Sequence, residues 1–439
     1  MGSYIPATDY DTRKMLDAIG IENIDELYRE LPDRVRLRGN LNLPKGMSEL
    51  EVSRKIKEIS EKNVVYPIVF RGAGAYRHYI PSVVNSVISK ESLSTAYTPY
   101  QPEISQGVLQ SIFEFQTMIC ELTGMDVANA SVYDGAAAAA EAIVMCQKRK
   151  RDKAFISETM HPQVLETMKT YCFGNEIELV TIPEKDGVTD LEFLDDHLDE
   201  ETACVCIQHP NYYGNLEPAE EIRKMVKKRK ARFIMSVNPI SLGVLKTPAE
   251  YGADIAVGEG QPMGLPLSFG GPYLGFMACT KDLTRKLPGR IAGETVDSNG
   301  ETGYVLTLQA REQHIRREKA SSNVCSNQAL CALAISVYLS AMGPEGLKQA
   351  AVQCMSKAHY MAQQLEGIGY KLVNYHEFFH EFVTESKAPV DQVMRKLEKS
   401  RILGGYPLQG DRKGQILWCC TEMNTKEEID TVIRILKEV

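Results

Sequence analysis

Between about residues 150 and 280 the sequence alternates short apolar runs with longer amphipathic stretches. The runs Ala154 to Ile156, Ile177 to Ile182, Ala203 to Ile207, Arg232 to Val237, Asp254 to Val257 and Gly275 to Cys279 have the length of strands. Between them Pro162 to Tyr171, Leu191 to Leu198 and Pro218 to Lys230 read as helices. Such alternation is the mark of a mostly parallel sheet with helices on both faces. It predicts a large α/β domain over residues 61–330. In sheets of that kind ligands lie at the carboxyl ends of the strands. This points to His209-Pro210-Asn211-Tyr212-Tyr213-Gly214, Ser236-Val237-Asn238-Pro239 and Gly258-Glu259-Gly260-Gln261.

The flanks have other patterns. Residues 1–60 read as short helices with tight stops. Thr8 caps a helix ending near Ile19 before Gly20, Asn23 caps a second ending before Pro32, and Ser48-x-x-Glu51 is a capping box opening a third. An arm of this kind fits either a partner subunit or its own domain. Residues 331–439 predict a small α+β domain: a helix to about Gly367, strands Tyr370 to Asn374, Phe378 to Thr384 and Gln415 to Cys420, a helix Pro389 to Lys399, and a last helix opened by Thr425-x-x-Glu428.

Several connections concentrate polar groups. In Tyr97-Thr98-Pro99-Tyr100-Gln101-Pro102-Glu103-Ile104-Ser105-Gln106-Gly107 a backbone stiffened by Pro99 and Pro102 carries two Tyr, two Gln, a carboxylate and a hydroxyl. It reads as a buried functional loop, held by a helix from about Ser105 to Thr123 whose Val108, Leu109, Ile112, Phe115, Gln116 and Ile119 have helical spacing. In Arg71-Gly72-Ala73-Gly74 the glycines allow a sharp turn or a close approach. No GxGxxG follows, so a Rossmann reading has little support. Asp134-Gly135 and Ala136 to Ala140 make a helix start that a backbone or a phosphate could approach, but a carboxylate at the cap already occupies the positive end of the helix. Finally, Ser321, Ser322, Asn323 and Ser326 precede an apolar helix, Ala329 to Met342, which they could cap or at whose positive end they could hold an anion.

Composition narrows the function classes. With 44% apolar and 25% charged residues the chain is globular. The net charge of −8 and scattered basic residues, apart from Lys227-Lys228-Arg229-Lys230 at a helix end, argue against nucleic acid. The eleven Cys show no paired metal or dithiol spacing and read as buried free thiols in a reducing compartment. The N-terminus does not resemble a signal peptide and no run approaches the roughly 20 apolar residues of a membrane span, so the cytoplasm is the expected location. No catalytic triad or metal constellation stands out among the eight His and the acids.

The loop Tyr97 to Gly107, the segment Gln116-Thr117-Met118 through Gly124-Met125-Asp126-Val127-Ala128-Asn129-Ala130-Ser131, and Arg311-Glu312-Gln313-His314-Ile315-Arg316-Arg317-Glu318-Lys319-Ala320 together resemble the P-protein (glycine decarboxylase) family of the glycine cleavage system. The likeness covers essentially the whole chain. It implies a fold-type I pyridoxal-phosphate (PLP) transferase-like large domain with an N-terminal helical arm and a small C-terminal α+β domain. Within the family it points to the N-terminal (α) half of the split form. Such a fold normally supplies a Lys for the cofactor and an acid for the pyridinium nitrogen. Here the strand that should end in the acid ends in Ser236-Val237-Asn238-Pro239, and Asp254 to Gly264 contains no Lys. Lys246 and Lys281 only flank the gap.

The resemblance therefore implies a chain that binds no cofactor covalently and pairs with a β subunit that carries PLP. With glycine as substrate and the lipoyl H-protein as acceptor, the pair would release CO2 and transfer the aminomethyl group. This chain would contribute no catalytic group of its own. Tyr97, Tyr100, Gln101 and Glu103 would reach the partner's substrate and cofactor in trans, and Ser321, Ser322, Asn323 and Ser326 would approach the partner's PLP phosphate. No metal is expected. Without its partner the chain could pair with a second copy of itself. The alternatives are an autonomous PLP-dependent amino-acid decarboxylase using an unexpected Lys, and a non-catalytic scaffold subunit.

Overall fold

The computed structural model describes residues 7–37, 39, 41–94, 98–373 and 376–439. The chain divides into two units, Met1–Val65 and Tyr66–Val439.

In the first unit α1 (Asp9–Ile19) opens on a reciprocal box between Thr8 and Asp11 and stops at Gly20, whose φ of 80° is left-handed. Helix α2 (Glu49–Ser60) opens on the same device, built from Ser48 and Glu51. The helix expected after Asn23 is only a tight turn, Ile24–Tyr28, and Asn23 makes no side-chain cap there. Its amide reaches the Glu26 carboxylate instead. No described residue from 7 to 65 is buried.

The second unit opens on a short strand, Ile68–Val69, and a helix, Ser82–Ile88, and its main sheet region starts with α3 (Gln106–Thr123), β1 (Val127–Ala128), α4 (Gly135–Cys146), β2 (Lys153–Ser157), α5 (Pro162–Gly174) and β3 (Glu178–Ile182). It continues through β4 (Thr202–His209), α6 (Ala219–Lys228), β5 (Arg232–Val237), β6 (Ile255–Glu259) and β7 (Gly275–Cys279). These strands form one seven-stranded sheet in the order β1-β7-β6-β5-β4-β2-β3. Neighbours from β6 to β3 run parallel, whereas β7 is antiparallel to both β6 and β1. Successive side chains enter opposite cores. Phe155, Val205, Phe233 and Phe276 face a layer containing α3 and α6, while Ile156, Cys204, Ile234 and Met277 face one containing α4 and α5. Burial on both faces explains why these strands read as unbroken apolar runs.

A hairpin that the patterning did not predict, β8 (Ala292–Val296) with β9 (Thr302–Leu306), follows. Helix α7 (Ala329–Glu366) is broken at Gly343, with φ 61° and ψ 178°, just before Pro344. It is long and apolar enough to cross a membrane, against the sequence expectation, but Ile335, Tyr338, Leu347, Cys354 and Met361 are buried in the protein core. The C-terminal sheet pairs β10 (Lys371–Leu372), β11 (Glu381–Glu385), β12 (Tyr406–Pro407) and β13 (Gln415–Cys419) in the order β10-β11-β13-β12, with α8 (Val390–Lys399) and α9 (Lys426–Lys437) packed into the same core. Strand β11 starts later than predicted because Phe379 first bonds to Gly214 O, and Phe378 bridges Asn215. The predicted end of the preceding strand, Asn374, lies outside the described residues.

Candidate functional site

A cleft of about 420 Å³ opens at the carboxyl ends of β4, β5 and β6. Gln208 comes from β4, Ser236 and Val237 from β5, Glu259 from β6. The start of α4 (Asp134, Gly135, Ala136), His161, the loop Ala73–Tyr76 and Tyr273 close the sides. Two of the three strand ends singled out from the sequence thus line it, through Ser236, Asn238 and Glu259. The third is structural. His209 is buried and takes the Glu217 amide on its Nδ1, while Asn211 Nδ2 donates to Glu217 and to Gly187 O.

The acidic end of the cleft is built around Glu259. Its Oε2 accepts from Gly135 N at 2.9 Å, and its Oε1 accepts from Gln261 N at 3.0 Å and Leu274 N at 3.1 Å. A Cβ on Gly135 would stand 2.9 Å from Glu259 N, so only glycine lets α4 come this close to β6. Asp134 caps the same helix by accepting from Ala137 N at 2.7 Å. Two carboxyl groups therefore occupy the positive end of α4. Burial pushes the Glu259 carboxyl up to about 7 against the pull of its three amides, and the nearby Asp134 charge adds to the rise.

His161 stands on the opposite side. Its backbone N donates to Gln208 Oε1 at 2.9 Å, its Nδ1 accepts from Gln163 N at 3.1 Å, and its Nε2 faces Ala73 O at 3.0 Å. This set fixes the tautomer with the proton on Nε2. Burial lowers the His161 pKa. Gly74, at φ 105°, presses against the imidazole so closely that a Cβ would lie 2.6 Å away. His161, Gln208 and the amide seat of Glu259 were not found from the sequence, although Gly74 marked a close approach whose other side is this ring, while Gly72 packs against Glu381 and Tyr76.

The residues that the sequence proposed for a trans role lie elsewhere. Tyr97 falls outside the described residues. The loop is not buried within this chain, contrary to expectation. Pro99 is buried and Tyr100 half-buried, but Gln101 and Glu103 are exposed and Ile104 is 80% exposed. Its backbone is held by its own turns, Tyr100 N to Thr98 O and Ser105 N to Gln101 O, so it needs no core around it. Tyr100 is the anchor. Its hydroxyl donates to Asn327 Oδ1 at 2.7 Å, and its ring lies 4.8 Å from the Arg290 guanidinium. Ser326 also bonds to Tyr100. Asn327 in turn donates to Ala130 O. The fold thus joins the two predicted segments to each other and brings neither to the cleft of this chain. Ser321, Asn323 and Ser326 are exposed; Ser322 is half-buried, accepts from Val324 N and bonds to Glu141. Of the eleven free cysteines Cys325 is exposed and Cys120 half-buried, which corrects the expectation of burial for those two.

The family profile of the glycine cleavage system P-protein matches residues 2–436. The chain belongs to this family. It is 50% identical to the probable glycine dehydrogenase (decarboxylating) subunit 1 of Carboxydothermus hydrogenoformans, with 99% of each chain covered, and 49% identical to that of Bacillus licheniformis, with 99% of this chain and 98% of the relative covered. Among solved structures, an inhibitor-bound glycine decarboxylase (P-protein) of the glycine cleavage system superposes over 100% of both chains with a TM-score of 0.93 at 39% identity. Alanine–glyoxylate aminotransferase from Nostoc sp. shares the fold alone, at 16% identity and TM-score 0.60 over 86% of this chain and 96% of its own. The C-DES protein, also a fold neighbour at 16% identity and TM-score 0.62 over 87% and 98%, holds glycine covalently linked to its PLP cofactor. The fold is therefore that of the fold-type I PLP enzymes.

The cleft of this P-protein chain does not fit that cofactor. Among the described residues no lysine lines it. Lys246 Nζ is paired with Glu220 Oε1 at 2.6 Å, and Lys281, which follows β7, is not among the lining residues. Asn238, which follows β5, lines the cleft in place of an acid, and its amide is 3.4 Å from His380 Nε2. The anion end is filled by Glu259 and Asp134.

Proposed function

We propose that this chain is the α subunit of a two-chain P-protein, and that PLP is held by the β subunit. Together they take glycine, release CO2 and transfer the remaining aminomethyl group to the lipoyl arm of the H-protein. The cofactor supplies the electron sink for decarboxylation; this chain contributes orientation and exclusion of water at the partner's site. One observation supports the reading: the cleft at the carboxyl ends of the strands is lined, among the described residues, by no lysine, and carboxyl groups occupy the helix start where an anion could otherwise be held. It favours this division of labour over an autonomous decarboxylase.

The exposed Tyr100 loop and the exposed serines of Ser321–Ser326, tied together through Tyr100, Ser326 and Asn327, support a joint role against the partner. Tyr97, Gln101 and Glu103 belong to the same reading as substrate-facing groups, and Ser321, Ser322, Asn323 and Ser326 as phosphate-facing ones. Nine buried free thiols support a reducing compartment, the cytoplasm. The test is glycine–CO2 exchange, measured with H-protein and PLP for this chain alone, its partner alone and the mixture. Activity only in the mixture is expected. Exchange by this chain alone would overturn the reading, and a partner fully active alone would leave this chain a scaffold.

A further inference from the structure

We propose that Glu259 is an internal carboxyl group that takes the place of a phosphate at the start of α4 and closes the cleft to phosphorylated ligands. The inference goes beyond the absence of lysine and rests on the reading that the cofactor belongs to the partner. A helix start at the end of a cleft is a seat for phosphate because its first amides have no partner within the helix. Here the seat is fully built. Gly135 N from α4, Gln261 N from the turn after β6 and Leu274 N at the edge of β7 converge from three segments on one carboxyl group. Gly135 has no side chain to screen the approach, and the Cβ it lacks would strike the backbone of Glu259 itself. Three convergent amides can serve a phosphate as well as a carboxylate. The side chain that fills them comes from the strand end next to which a cofactor lysine would be expected. Asp134, bonded to Ala137 N, adds a second carboxyl group at the same helix end.

Loss of lysine alone would leave a cleft able to hold a phosphorylated ligand without a covalent bond. Glu259 removes that ability. The consequence for the two-chain enzyme is that PLP is not divided between a productive and an unproductive cleft.

The experiment titrates inorganic phosphate, PLP and unphosphorylated pyridoxal separately into the full-length chain by calorimetry, for the wild type, Glu259→Ala and Glu259→Gln. Glu259→Ala vacates the seat, whereas Glu259→Gln keeps the volume and removes the charge. The wild type should show no saturable phosphate binding up to about 10 mM, and Glu259→Ala should bind phosphate at least about tenfold more tightly, with Glu259→Gln between them. Adding Asp134→Ser, which keeps a helix cap, should tighten phosphate further. Pyridoxal, which lacks the phosphate, should not distinguish the three chains. Saturable phosphate binding by the wild type, competed by PLP, would overturn the proposal. So would the absence of any gain in whichever of the two variants keeps the wild-type circular dichroism and melting. These outcomes are independent of glycine–CO2 exchange in the mixture, so failure here is distinct from failure of the proposed function.

Discussion

Two carboxyl groups, Glu381 and Glu422, show how partner geometry sets the behaviour of one residue type. Glu381 on β11 accepts from Ala73 N and from the Tyr76 hydroxyl, both at 2.7 Å, yet burial dominates and pushes it up to about 7. Burial acts in the same sense on Glu422, but His78 at 2.7 Å and the Tyr79 amide outweigh it and bring this carboxyl down to about 2. The signs of the two contributions to stability are therefore opposite. The Glu381 contribution is complete below the ordinary 4.5 and is lost as pH rises through about 7. The Glu422 contribution is complete above 4.5 and is lost as pH falls toward about 2. We predict that Glu381→Gln flattens the decline in unfolding free energy between pH 4.5 and 7 by an amount on the order of 3 kcal/mol, read from denaturant titrations at each pH. An identical slope in variant and wild type would mean that Glu381 is not held neutral.

Tyr100 tests the trans role at the same scale. Its hydroxyl is the link between the exposed loop and the serine-rich segment. Removing that hydroxyl with Tyr100→Phe costs about 1 kcal/mol of local order, so the two-chain enzyme should lose roughly fivefold in activity with the complex still assembled. Ser322→Ala should lower activity in the same way. Unchanged kinetics with either substitution would remove that residue from the partner's site.

At the scale of elements, what could be read from the sequence was what neighbours in sequence decide. The boxes at Thr8, Ser48 and Thr425 are closed within three residues, and all three helices start where those residues place them. The inner sheet strands between residues 150 and 280 were legible because both their faces are buried, which leaves mostly apolar runs, while the edge strand β3 exposes Glu178 and Thr181. The hairpin β8–β9 was missed, although Asn299-Gly300 in its connection is a turn signal; its strands are half-exposed and carry Glu294, Thr295 and Thr302, so no apolar run marks them. The Glu259 seat was illegible because two of its donors are 124 and 15 residues away in sequence. Absence of lysine is a local fact, whereas occupation of the seat is a property of the fold.

The break in α7 yields a prediction of its own. Gly343 holds φ 61° and ψ 178°, a region essentially closed to other residues, and no atom lies within 4 Å of where its Cβ would be. The cost of Gly343→Ala is therefore backbone strain alone, about 1–3 kcal/mol of unfolding free energy. A melting temperature equal to the wild type's would show that the helix straightens or rebends at no cost.

At the scale of the molecule, the first unit cannot be understood as an isolated body. Its helices are well capped, yet Tyr10, Met15, Ile19, Leu27, Leu31, Leu50, Ile56 and Ile59 are all exposed, and none of its described residues is buried. Capping fixes where a helix starts, but a capped amphipathic helix gains most of its stability from an apolar surface that covers it. A stretch carrying this much exposed apolar area is characteristic of a segment completed by another chain. The relatives are named as subunit 1, which implies a second subunit, and a subunit lacking its partner could present the same surface to a second copy of itself. We predict that removing residues 1–65 leaves a folded chain, because the second unit has hydrophobic clusters of its own among its described residues, but weakens association with the β subunit at least tenfold. Light scattering coupled to size exclusion, run on both chains mixed at micromolar concentration, reads this directly. A truncated chain that assembles as tightly as the full one would mean that the arm is covered by something other than the partner. In that case association would have to rest on the second unit, where the Tyr100 loop and the serine-rich segment are the proposed contacts.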